Sequence, residues 1–167
     1  MTTEEETNGE DARFKTLRHM ETVRNHLNTC INALMRRGEQ HDQTKLQSPE
    51  VAGFAKVTPQ LRGMTYGSDE YHAKLKEMKP FLDHHYAHNR HHPEYHKEGI
   101  NDMTLIDLVE MLCDWKSSTM RHNDGNILKS IEINTKRFHI DAQLSRILMN
   151  TALWLLDQEI FHHAEES

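Results

Sequence analysis

Between Asp83 and His96 the chain reads DHHYAHNRHHPEYH, so six of its fourteen histidines fall within fourteen residues. Packing an apolar core gives no reason for such a density, whereas neutral imidazole is the commonest metal-ligating side chain. Any fold of this chain must give these rings either solvent or a shared ion. A helix through the segment would put His84, His88 and His91 on one face and His85 and His92 on another. Pro93 would end that helix at or just before His92, because the residue preceding a proline avoids the helical region. A solvated polar run that binds metal only by accident is the competing reading. A tag is not, since the cluster is internal and interleaved with Tyr86, Asn89, Pro93 and Glu94.

The remaining pattern is helical. Leu17, Met20, Val23, Leu27, Cys30, Ile31, Leu34 and Met35 recur at helical spacing and predict an amphipathic helix over Ala12–Arg37, stopped by Gly38. Ser48 and Pro49 suit an N-cap and first helical position for a short helix to about Phe54. Pro59, Gly63 and Gly67 mark a looser stretch. Ser68-Asp69-Glu70 opens the next helix, expected to reach about Met78, with Pro80 starting the histidine helix. Thr104 starts a helix to about His122 with Leu105, Leu108, Val109, Leu112 and Cys113 as its apolar stripe. Asp124-Gly125 is a turn. Two more helices are expected over roughly Asn126–Phe138 and Asp141–Phe161. The last of these carries Leu148, Met149, Leu153, Trp154 and Leu156, and closes the core or, alternatively, supports a homodimer.

No stretch alternates with a two-residue period. The expectation is an all-α, single-domain helical bundle over residues 12–167, preceded by a disordered acidic lead-in over residues 1–11. A chain of 167 residues is long enough to bury one core. The net charge of −6 argues against a broad nucleic-acid surface, which needs clustered Lys and Arg. It leaves room for a small phosphorylated substrate held by a few cations. No apolar run approaches the ~20 residues that span a bilayer. The acidic N-terminus is the opposite of a signal peptide's, so cytoplasmic residence is expected. Cys30 and Cys113 sit in helical, partly apolar contexts and are expected to be reduced, buried thiols.

Three further elements carry chemistry. His41 and Asp42 are adjacent and followed by Thr44 and Lys45; both can reach one or two cations from a helix terminus, with the carboxylate able to bridge. Asp107, Glu110 and Asp114 lie three and four apart on one helix face, bordering the apolar stripe. At least one is expected to point inward, where an unpaired carboxylate is costly and a cation is a common remedy. Trp115 favours Asp114, with a solvated acidic stripe as the alternative. On the first helix, His19 and His26 lie two turns apart on nearly one face.

In chain order these elements give His19, then His41-Asp42, then the histidine cluster, then Asp114. In this the sequence resembles the HD-domain superfamily of helical metal-dependent phosphohydrolases, and HDQTK matches the form that often surrounds its His-Asp pair. More closely, it is similar to a small uncharacterised HD-like family of bacteria and tailed phages. The stretches HDQTKLQSPE, YGSDEYHAKLKEMKPFLDHHYAHNRHHPEYH and MTLIDLVEMLCDWKSSTMRHNDG carry that resemblance.

The resemblance implies that His19, His41, Asp42, two cluster histidines and Asp114 ligate one or two divalent ions. His85 and His92 are the chosen pair, with His84, His88 and His91 as alternates. Mixed nitrogen and oxygen ligands fit Mn²⁺, Fe²⁺, Co²⁺, Ni²⁺ or Zn²⁺ better than Mg²⁺. The implied reaction is hydrolysis of a nucleotide-like phosphomonoester or phosphodiester by a metal-activated water. Lys45, Arg90 and Arg121 are candidate phosphate clamps. Glu110 or a further histidine is the candidate proton donor to the leaving oxygen. Two other readings compete: an HD-type mixed-valent di-iron oxygenase and a non-catalytic metal-stabilised binding protein. If the chain is phage-encoded, the cytoplasm in question is the host's.

Overall fold

The computed structural model describes residues 4–61, 69–120 and 125–165, and among them every regular element is helical. The helices are α1 (Glu4–Gln40), α2 (Glu50–Leu61), α3 (Asp69–His88), α4 (Leu105–Thr119), α5 (Ile127–Arg137) and α6 (Ala142–Glu165). Short 3₁₀ turns occupy Gln43–Leu46, Pro93–Tyr95 and Gly99–Asp102. The all-α expectation holds. The chain forms two compact units, residues 1–40 and 41–167.

The first unit is α1 alone. It begins at Glu4, so most of the acidic stretch expected to be a disordered lead-in is continuous with the helix. At the other end Gly38 does not stop the helix, which continues to Gln40. Glycine in a helix interior costs only about 1 kcal/mol, a penalty that neighbouring turns can carry. Cys30 is a free thiol and exposed, as is Cys113 in the second unit, against the expectation of burial.

The second unit is built on two packings. In one, α4, α5 and α6 enclose the core: Leu108, Met111, Leu112, Trp115, Ile127, Ile131, Ile140, Leu148 and Ala152 are all buried together. Trp115 and Phe138 stack with ring planes 6° apart. The stripe of α4 is thus Leu108, Met111, Leu112 and Trp115; Leu105 and Val109, expected within it, are exposed. On α6, Leu148 and Ala152 close the core while Leu153 and Trp154 remain exposed. Side-chain caps fix the helix starts: Thr104 and Asp107 form a reciprocal capping box on α4, Asn126 Oδ1 accepts from Leu128 N and Lys129 N, and Asp141 Oδ1 accepts from Leu144 N.

In the other packing α2 lies against α3. Sequence analysis expects α2 to end near Phe54 and expects two helices meeting at Pro80, but α2 runs to Leu61 with Pro59 inside it, and α3 is a single helix through Pro80. Burial outweighs the missing amide N–H: Val57 of α2 and Met78 of α3 are both buried, and Gly53 of α2 packs directly on the Phe81 ring. The Ser48–Pro49 peptide is cis, and the helix begins after it, at Glu50. Gly63, Gly67, the Ser68 cap and the Asp124 turn lie outside the described residues, as do the side chains of His162 and His163.

The histidine segment connects the two packings. α3 ends at His88, four residues earlier than Pro93 alone predicts. Asn89 causes the early stop: it is buried, its side chain donates to His85 O at 2.8 Å and to Thr44 Oγ1 at 2.8 Å, and His92 N closes a turn on Asn89 O. Arg90 then anchors the turn to α4, with Nε 2.9 Å from Asp107 Oδ1 and Nη2 3.1 Å from Oδ2. Asp107 itself is fully buried.

Gly53 sets how closely α2 approaches α3. A Cβ there would lie 2.2 Å from Phe81 Cγ, so Gly53→Ala must displace the ring. The variant should lose about 1–3 kcal/mol in chemical denaturation; unchanged stability would show that this approach is not tight.

Candidate metal centre

Asp42 lies where the chain leaves α1 for the second unit, and its backbone is left-handed, with φ 57° and ψ 15°. Few residue types enter that region, and aspartate is one of them. The conformation turns the chain into the Gln43–Leu46 turn, closed by Lys45 N donating to Asp42 O at 2.8 Å.

Around Asp42 the donors form three overlapping groups, each with its atoms within 4.8 Å of one another: Asp42 with His85, His91 and His92; His41 with Asp42 and Asp114; and His41 with His91 and Glu110. Asp42 joins the first two. Its Oδ1 is 3.2 Å from His85 Nε2 and 3.6 Å from His91 Nε2, while its Oδ2 is 3.4 Å from His41 Nε2. Asp114 Oδ1 stands 3.6 Å from the same His41 nitrogen.

The imidazoles are held from behind by carboxylates. Glu50, fully buried at the start of α2, takes His85 Nδ1 on Oε2 at 2.9 Å and His84 Nδ1 on Oε1 at 2.7 Å. Thr44 Oγ1 donates to the same Oε2 at 2.9 Å. Glu110 Oε1 receives His41 Nδ1 at 2.9 Å and lies 3.2 Å from His91 Nδ1. In a neutral ring, a carboxylate on Nδ1 fixes that nitrogen as the donor and leaves Nε2 as the lone pair, the arrangement metal-ligating histidines use.

Two observations test whether this set suits a cation. Asp42 Oδ1 and His91 Nε2 are buried without a hydrogen-bond partner, although buried polar atoms rarely go unsatisfied. His85 Nε2 and His92 Nε2 face each other at 3.0 Å, and two lone pairs repel at that distance unless a proton or cation lies between them. The donors fit a transition-metal ion: three imidazoles and a carboxylate in one group, one imidazole and two carboxylates in the other.

Electrostatics separate the imidazoles: His92 is held neutral, whereas His41 keeps a proton that an ion would have to displace. Burial, then the neighbouring His91 and His85, push His92 down to about 3, so its ring is neutral. Burial works against the charge of Asp42, yet His85 and the Lys45 ammonium hold it well below the usual carboxylate range. Asp114 is likewise lowered: burial opposes its charge, and His41 and His91 outweigh that. His41 is raised to about 9, chiefly by Asp114 and then by Glu110.

Of the residues expected from sequence, the structure brings His41, Asp42, His85, His92 and Asp114 together. His91, expected only as an alternate, joins them because α3 ends early. His84 and His88 remain on α3 outside these groups. His19 and His26 are exposed on α1, in the first unit, while the three groups are drawn from residues of the second. Lys45 Nζ is 2.5 Å from Asp42 Oδ2. Arg90 is engaged by Asp107, and Arg121 lies outside the described residues. Sequence reasoning missed the roles of Glu50, Thr44 and Asn89, and Glu50 carried no local signal at all.

Residues 8–159 match the family of unknown function DUF5662. The chain belongs to this family. No curated protein and no solved structure matches the chain.

A cation taking His41 Nε2 must displace the proton that His41 otherwise keeps up to about pH 9. Apparent affinity at this group should therefore rise roughly tenfold per pH unit between about pH 6.5 and 9, with one proton released per ion. Isothermal titration in buffers of different ionisation enthalpy measures both, and a flat profile would exclude His41 as a ligand.

Proposed function

We propose that this protein is a metal-dependent phosphohydrolase of the HD type, acting on a small nucleotide-like phosphomonoester or phosphodiester. The observation that carries the reading is Asp42, whose two carboxylate oxygens each belong to a separate donor group. One or two divalent ions, when bound, would supply Lewis acidity and a water acidified towards neutrality.

His85, His91 and His92 would hold one ion with Asp42, and His41 and Asp114 would hold the other. Lys45 is the nearest positive side chain to the shared carboxylate and supplies charge for a phosphoryl oxygen. The contacts of Glu110 with His41 and His91 favour a positioning role over proton transfer. No described helix is long and apolar enough to cross a membrane, and a cytoplasmic site of action fits a reaction on small phosphorylated metabolites.

Asp42→Gly keeps the left-handed backbone and removes the bridge. Metal analysis of tag-free protein should find one or two transition-metal ions per chain in the wild type and a loss in the variant. Wild type should turn over members of a phosphoester panel with added Mn²⁺, Co²⁺ or Ni²⁺. Full retention of metal by the variant would defeat the assignment. Bound iron with oxygen uptake and no phosphoester turnover would replace the hydrolase by a di-iron oxygenase. Tight metal with neither activity would leave a metal-stabilised binding protein.

Glu110→Ala should weaken cation binding by about 10–100-fold, the usual effect of removing a carboxylate behind a ligating histidine. Competition against a chelator of known affinity measures it. An unchanged affinity would show that the two imidazoles hold their orientation without Glu110.

A further inference from the structure

The two donor groups that share Asp42 differ in how many ligands they offer and in how far solvent reaches them. Asp42, His85, His91 and His92 make four donors, whereas His41, Asp42 and Asp114 make three. In the first group, His92 Nε2 is 3.0 Å from His85 Nε2, which is 3.2 Å from Asp42 Oδ1, which is 3.6 Å from His91 Nε2. Ligand atoms on a tetrahedral ion at about 2.0–2.1 Å stand roughly 3.3 Å apart, so these spacings are those of a filled coordination sphere. The rings of His85 and His92 are 71° from parallel with centroids 4.8 Å apart. Their Nε2 atoms are closer than that, at 3.0 Å, so the ring tips converge. Among the described residues, the buried side-chain atoms without a hydrogen-bond partner are Asp42 Oδ1 and His91 Nε2, and both belong to this group. The side chains of His85 and His91 are each 2% exposed, against 27% for His41 in the three-donor group.

We infer that the two groups have different roles: Asp42, His85, His91 and His92 form a closed, structural transition-metal site, and His41 with Asp114 forms the open, exchangeable one. The inference rests on the metal centre of the proposed function and not on the reaction proposed for it. Structural sites take all four ligands from the protein, whereas sites that activate water keep a position free. Three imidazoles and a carboxylate leave no such position, so water or a phosphoryl oxygen has room only beside His41 and Asp114. Ligands of this softness and geometry suit Zn²⁺ in the closed site. Its ligands also come from places that the fold must hold together. Asp42 precedes α2, His85 is on α3, and His91 and His92 lie in the turn that follows α3. Behind them, Glu50 of α2 takes His85 and Glu110 of α4 lies against His91. A filled closed site therefore ties the α2–α3 packing to the helix that mounts the apolar core.

The test is Co²⁺ titration of metal-stripped, tag-free full-length protein, followed by visible absorption, calorimetry and thermal unfolding. Wild type, Asp114→Asn and His92→Ala are compared. Tetrahedral Co²⁺ absorbs visible light far more strongly than five- or six-coordinate Co²⁺, so the spectrum reports which group has filled. In wild type the first equivalent should give the intense tetrahedral bands and raise Tm. A second, weaker equivalent should add little absorption. Asp114→Asn should keep the first equivalent, with its spectrum and its rise in Tm, and should weaken or lose the second. His92→Ala should lose the tetrahedral bands and weaken the first equivalent by at least about tenfold, since a multidentate site loses effective concentration with each arm. A first equivalent in wild type without tetrahedral bands would overturn the inference. So would their disappearance in Asp114→Asn, a variant that leaves all four closed-site ligands in place. Failure of the metal centre itself would look different, as wild type binding no Co²⁺ at all, and would remove this inference with it.

Discussion

Burying carboxylates without lysine or arginine behind most of them is the constraint on which this structure turns. Glu50 is fully buried and Glu110 nearly so, while Asp42 and Asp114 are largely enclosed. Isolated carboxylates in such places would cost several kcal/mol each. Imidazole N–H groups meet that cost here: His84 and His85 at Glu50, His41 and His91 at Glu110. Each such contact turns the opposite ring nitrogen towards Asp42 or towards solvent. The same interactions that make the interior tolerable therefore also aim the donors.

Helix α4 divides the two halves of the second unit. One face supplies Leu108, Met111, Leu112 and Trp115 to the apolar core. The other carries Asp107, Glu110 and Asp114, which meet Arg90, the two imidazoles of His41 and His91, and His41 respectively. A rigid, well-capped helix with a packed back is a suitable mount for charged groups that must hold position within tenths of an ångström. The loop facing it is pinned at several points, through Asn89, Arg90 and His96, whose Nε2 donates to Arg90 O at 2.8 Å.

Much of this was legible in the sequence. The helical class followed from periodicity, and the starts of α4 and α5 from Thr104 and Asn126, because caps are local signals. Asp42, His41 and Asp114 stood out by residue type and order. The errors came where tertiary contacts overrule local ones. Pro80 reads as a break, yet burial against α2 carries the helix through it. His91 reads as the partner of His84 and His88 on a helical face, but Asn89 ends the helix first and swings His91 round to join His85 and His92. Glu50 gave no signal, since its role depends on residues 34 and 35 positions away.

The left-handed backbone of Asp42 has an evolutionary corollary. Position 42 is chosen twice, once for an anionic side chain that can face two ways and once for a φ of 57°. Glycine and asparagine satisfy the second requirement, and neither satisfies the first. Glutamate keeps the charge but adds a methylene and enters the left-handed region less readily. The residue therefore has no neighbour in substitution space that preserves both properties. Drift away from aspartate would have to pass through a chain without its bridge.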